Sequence, residues 1–132
     1  MKITVDTNVL VRAVVRDDER QARTASKLLK EAELIAVSLP CLCEFVWVLR
    51  RVYNFAQQDI SAALEALLNA SNVAVNRPAA DAGLAVLKEG RAFADGLIAY
   101  EGNWLGGETF VSFDKKAVSL VVKQGQQARL LT

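Results

Sequence analysis

Four acidic residues in this chain stand in settings where a carboxylate could do chemistry. Asp6 follows the apolar run Ile3-Thr4-Val5 and Asp114 follows Phe110-Val111-Ser112-Phe113. Glu44 interrupts the otherwise apolar stretch from Leu39 to Leu49, and Asp95 stands two residues after Phe93. The sequence holds no histidine. Ser-His-Asp and Cys-His nucleophile systems are therefore excluded, and so are imidazole metal ligands. The remaining acid–base and metal chemistry falls to carboxylates, whose hard oxygens suit Mg²⁺ or Mn²⁺ over soft metals.

Each acid also has a plainer role open to it. Asp6 or Thr7 would cap a first helix, and Asp114 would cap one beginning at Lys115; such caps contribute about 0.5–2 kcal/mol. Asp95, near a helix start, would favour the helix dipole. Glu44 is the hardest to explain this way, because a buried unpaired carboxylate is costly and calls for a cation beside it. Its alternative is one wet edge on the helix and a salt bridge to Arg50 or Arg51.

The elements that must position these acids alternate along the chain. Lys2 to Val5 reads as a strand, Asn8 to Arg16 as a helix, Asp18 to Ala32 as a helix with Ala22, Ala25, Leu28 and Leu29 on one face, and Leu34 to Val37 as a strand. Ser38 and Pro40 start an apolar helix running to about Tyr53. Asp59 to Ala70 carries Ile60, Ala63, Leu64, Leu67 and Leu68 on one stripe. Asn72 to Val75 is a third strand, Arg77 to Glu89 a helix closed by Gly90, and Phe93 to Leu105 another, broken by Gly106-Gly107. Thr109 to Phe113, Lys115 to Lys123 and Ala128 to Leu131 follow as strand, helix and strand. This alternation predicts an α/β fold with a central, mostly parallel sheet flanked by helices on both faces. In such sheets sites form outside the carboxyl ends of the strands, where Asp6 and Asp114 fall and where Glu44 and Asp95 can converge on them.

The chain's 132 residues fit a single domain with a full core, at 52% hydrophobic and 23% charged residues. No apolar run approaches a bilayer span and no secretory signal pattern opens the chain, so a cytoplasmic location is expected. Cys41 and Cys43 alternate within an apolar segment and read as small core residues. A net charge of +1 neither demands nor excludes nucleic acid.

Four motifs together carry a resemblance. Asp6-Thr7-Asn8-Val9-Leu10, Glu44 in the apolar third helix, Phe93-Ala94-Asp95-Gly96-Leu97-Ile98-Ala99 and Ser112-Phe113-Asp114-Lys115-Lys116 resemble, in that order and spacing, the motifs of PIN-domain nucleases. Within that family the chain is similar to VapC-type toxin ribonucleases of type II toxin–antitoxin systems. It departs in having Ala92 where many relatives carry an aspartate, Gly96 for the commoner alanine, and Ser112 where threonine is frequent.

The resemblance implies a Mg²⁺- or Mn²⁺-dependent endoribonuclease, a hydrolase of RNA phosphodiesters. It gives Asp6 and Asp95 the most direct metal ligation and makes Glu44 and Asp114 further ligands or water-orienting groups. Thr7, Asn8 and Ser112 support them by hydrogen bonds. It implies a homodimer and a cognate antitoxin that blocks the site and supplies any DNA contact. Lys115 and Lys116, adjoining Asp114, are the best candidates for RNA phosphates, with Arg12 next; Arg16, Arg50 and Arg51 are further candidates, while the Arg20, Arg23 and Lys27 stripe reads first as a solvated helix face and only second as a phosphate contact. Two other readings stand beside this one. In the first the chain is a subunit of a DNA-binding regulatory complex with little nuclease activity of its own. In the second it is an acid-pocket phosphohydrolase or phosphorylation receiver, against which Thr7-Asn8 and the mid-helix Glu44 both count.

Overall fold

Strands β1 (Lys2–Thr4), β2 (Leu34–Ala36) and β3 (Val73–Ala74) pair in parallel in the order β1-β2-β3. The computed structural model describes the whole chain, Met1–Thr132. Its residues gather into two compact units, Met1–Arg77 and Pro78–Thr132. The three strands belong to the first unit with α1 (Thr7–Val14), α2 (Glu19–Glu31), α3 (Leu39–Arg51) and α4 (Gln57–Asn69).

Local chemistry sets most of these boundaries. Asp18 accepts from the Gln21 amide at 3.1 Å and starts α2, and Ser38 accepts from the Cys41 amide at 3.3 Å and starts α3, with Pro40 in the first turn. Helix α4 begins at Gln57, two residues before the expected Asp59. Asp59 lies in its first turn, where its charge favours the dipole, and caps nothing. The Asn72 side chain donates to the Leu29 and Ala32 carbonyls at 2.9 and 3.0 Å, satisfying the carboxyl end of α2. The core of this unit is Ile35, Leu42, Phe45, Leu49, Ile60 and Leu64, none more than 2% exposed.

Parallel register decides what stands at the sheet's functional edge. Thr4 lies opposite Ala36, so Asp6, two residues beyond Thr4, and Ser38, two beyond Ala36, leave their strands at the same level. Helices α1 and α3 start there side by side and pack on each other.

The second unit holds α5 (Arg77–Lys88), α6 (Phe93–Trp104), β4 (Thr109–Ser112), α7 (Lys115–Lys123) and β5 (Gln127–Leu130). Strands β4 and β5 are again parallel, with Ser112 opposite Leu130. The strands therefore form two hydrogen-bonded ladders, of three and of two strands, with every pairing parallel. In β4 the cover is one-sided, since Val111 is half exposed while Phe110 and Ser112 are partly screened. No helix is long and apolar enough to cross a membrane.

Helices α5 and α6 meet at two glycines. A Cβ on Gly96 would lie 2.3 Å from the Ala82 carbonyl oxygen, and one on Gly83 would lie 2.6 Å from the Phe93 ring. Glycine at 96, in place of the alanine common in the resembled motif, lets the α6 backbone approach α5 and sets the position of the adjoining Asp95. Replacing Gly96 by alanine should cost roughly 1–3 kcal/mol, because a backbone carbonyl cannot move aside as a side chain can. Gly102, in the same helix but with nothing near its Cβ direction, should gain about 0.5–1 kcal/mol from the same change. Urea denaturation of the two variants checks the contrast.

Candidate functional site

Asp6 is the N-cap of α1, in extended backbone, and its Oδ1 accepts from the Thr7 amide at 2.8 Å. Its second oxygen is left for other partners. Glu44 lies on α3 five residues past the helix's first residue, a rise of about 7.5 Å at 1.5 Å per residue. Asp6 and Glu44 line one open cleft of about 250 Å³ together with Thr7, Asn8, Arg12 and Tyr53. The structure thus joins two acids 38 positions apart in the chain.

Glu44 does so from the surface. It is exposed, as is Trp47 one turn on, while Phe45, Val46 and Leu49 are buried. The burial inferred for Glu44 from its apolar neighbours is therefore corrected: α3 has a wet edge, and Glu44 and Trp47 stand on it. Position beside Asp6, and not the cost of burial, is what singles Glu44 out.

Beneath the cleft lies Cys41, whose Sγ accepts from the Thr7 hydroxyl at 3.8 Å. Burial pushes its thiol pKa up; the Thr7 hydrogen bond opposes this, and the charges of Asp6 and Glu44 add to the rise. Both carboxylates act on the same buried sulfur. Cys41 is buried, as its expected packing role requires, whereas Cys43 is partly exposed and stands at the edge of the core.

In the second unit Asp114 is the N-cap of α7 and accepts from the amides of Lys116 and Ala117 at 3.0 and 3.1 Å. Ser112 Oγ accepts from the Asp114 amide at 2.9 Å, fixing the turn that presents this carboxylate. Asp95 sits in the first turn of α6, whose N-cap, Ala92, offers no side-chain bond.

Asp95 and Asp114 share a residue that the sequence analysis passed over. The Nη2 of Arg91 lies 3.8 Å from Asp95 Oδ2 and forms a close ion pair with Asp114 Oδ2. Arg91 is placed by the end of α5. Gly90 takes a left-handed φ of 84°, its amide donates to the Leu87 carbonyl, and the Arg91 amide donates to the Val86 carbonyl at 2.9 Å. This is the Schellman arrangement, in which a glycine just past the helix makes the turn. The signal available in the sequence was a cation four residues before Asp95 and one after Gly90.

Within neither unit do three or more acids or cysteines surround one point. The acids come as two pairs, Asp6 with Glu44 and Asp95 with Asp114. Of the RNA-contact candidates, Lys115 and Lys116 are exposed beside Asp114. Arg12 is engaged with Asp17 at 2.9 Å, and Asp17 also accepts from the Tyr53 hydroxyl at 3.3 Å. Arg16 and Arg23 both approach Glu19, at 3.7 and 3.9 Å, on the solvated face of α2. A larger groove of about 710 Å³ runs along α1 and α2, sharing Asn8 and Arg12 with the acid cleft and adding Arg20, Gln21 and Thr24.

The Asp114 carboxyl is held below its ordinary value of 3.8, first by the Ala117 amide, which desolvation opposes, and then by Arg91 and the Lys116 amide. Because the folded value is the lower one, the stability it lends is complete above pH 3.8 and is lost as pH falls through the depressed value. An Asp114→Ala variant should therefore unfold at lower urea than the parent by a margin that is constant from pH 8 to about pH 5 and closes only in stronger acid.

The PIN domain model matches residues 3–120, spanning both units and all four acids. No curated protein matches the chain. PIN domains are typically metal-dependent nucleases. With nine-tenths of its length inside that match, the chain belongs to the PIN-domain family.

Proposed function

We propose that the chain is a metal-dependent endoribonuclease, the toxin of a VapBC-type pair, in which Asp6, Glu44, Asp95 and Asp114 serve one hydrolysis of RNA phosphodiesters. The observation that supports this most is the pairing of Asp6 with Glu44 in an open cleft. Two adjacent carboxylates repel each other, and a cation relieves that repulsion.

The donor set fits a hard divalent ion. It consists of carboxylate oxygens without imidazole, and the Asp95–Asp114 pair already draws a positive group between its members. Asp6 and Asp95 would hold Mg²⁺ or Mn²⁺ most directly, with Glu44 and Asp114 as further ligands or water-orienting groups. When bound, such an ion would lower the pKa of a water so that it could give up a proton and attack, and would offset charge on the phosphate.

The chain's own residues do the rest. Thr7 and Asn8 border the acids in the cleft, Ser112 fixes the turn that presents Asp114, and Lys115 and Lys116 hold a phosphate beside it. The groove along α1 and α2, with Arg20 exposed, offers a path for the flanking strand. The VapC-like motifs further support a homodimer and an antitoxin that blocks the acids, in a cytoplasmic setting. Trp47 on α3 and Val52 just past its end, both about 60% exposed, are the apolar side chains left for such a partner.

Purified protein incubated with RNA and Mg²⁺ or Mn²⁺, followed by sequencing of the new RNA ends, tests the reading. Asp6→Asn and Asp95→Asn should each lower cleavage by at least about a hundredfold, the upper range already seen for residues one shell further from a metal. Circular dichroism should be unchanged, since the substitution keeps shape and removes charge. A variant of full activity removes its residue from the site. A parent protein that cleaves no RNA with either metal leaves the regulatory-subunit reading instead.

A further inference from the structure

Arg91 is the one cation set between two of the proposed metal ligands, and three observations define its state. A single nitrogen, Nη2, faces both Asp95 and Asp114. Its Nε is buried and has no hydrogen-bond partner. Its backbone is pinned by the turn at Gly90. A guanidinium normally presents five donors in a rigid fork. Here the acids hold it in a pose that leaves one donor desolvated and unpaired.

We propose that Arg91 is a tethered counter-ion that neutralises Asp95 and Asp114 in the metal-free protein and competes with the divalent ion for them, setting the metal concentration at which the site fills. This rests on the metal-site reading above and adds an internal competitor to it. The physical reasoning is direct. Two carboxylates brought together need positive charge, and Arg91 supplies it at no translational cost because it is part of the chain. A divalent ion would offer the two carboxylates twice the charge, and the released side chain would regain water at Nε. The exchange is therefore reversible, and the guanidinium opposes metal binding by the free energy of its two ion pairs. Arg91 is a positioning residue in this scheme. It keeps the acids close before metal arrives.

The test is Mn²⁺ binding by titration calorimetry on the parent, Arg91→Met and Arg91→Lys, with folding checked by circular dichroism. Arg91→Met should bind Mn²⁺ more tightly, by roughly 5- to 150-fold, the range typical when one bound group changes the affinity for another. Arg91→Lys, which keeps the charge but loses the planar fork, should fall between the two. Without metal, Arg91→Met should melt lower than the parent, and Mn²⁺ should raise its melting temperature by more than it raises the parent's. If Arg91→Met does not fold, a tighter Arg91→Lys supports the proposal and an unchanged one overturns it. Equal or weaker binding by a folded Arg91→Met overturns the counter-ion role alone. A raised KM for RNA at unchanged Mn²⁺ affinity does so as well, by making Arg91 a phosphate contact. Absence of Mn²⁺ binding by both parent and variant overturns the metal-site reading together with this one.

Discussion

Parallel pairing of β1 with β2 is the constraint from which the acid cleft follows. In parallel strands successive carboxyl ends emerge at one edge, and the register of Thr4 with Ala36 puts Asp6 and the start of α3 at one level there. A shift of that register would carry Asp6 away from Glu44 and turn the buried Ile35 outward in the same step. The core and the cleft therefore depend on one register, and the burial of Ile35 at 2% exposure helps to fix where a surface glutamate meets a surface aspartate.

The two acid pairs solve the same electrostatic problem differently. Asp6 and Glu44 stand in an open cleft where water screens them, and Arg12, the nearest lining cation, is committed to Asp17. Asp95 and Asp114 have a guanidinium between them and, on the Asp114 side, two backbone amides as well. Those amides come from the start of α7, where orphan donors and the helix dipole both favour negative charge. Capping and chemistry are thus compatible uses of one side chain. Asp114 accepts amide hydrogens through Oδ1 and faces Arg91 through Oδ2.

The sequence was most legible where one physical rule acted alone. Ser38 and Asp18 announced their helices, Ile60, Leu64 and Leu68 announced a buried stripe, and an aspartate at a strand end announced a sheet edge. It was less legible where two rules competed. The run around Glu44 is apolar enough to suggest burial on every side, yet a helix of 3.6 residues per turn exposes some of its residues whatever their type, and Glu44 and Trp47 are those residues. The start of α4 was read at Asp59, but the helix begins at Gln57 with no side-chain cap to announce it.

Arg91 was the least legible of all, for a reason that applies beyond this chain. A cation on the residue before a helix cap normally reads as solvated surface. Its role here comes from a glycine turn behind it and from Asp114, 23 positions away. The turn is a motif that Gly90 announces, but the relation to Asp114 has no period or motif of its own. Acids that gather at strand ends can be anticipated from pattern, because the sheet places them. The charge that balances them is placed by whichever loop happens to reach, and only the folded chain shows which loop that is.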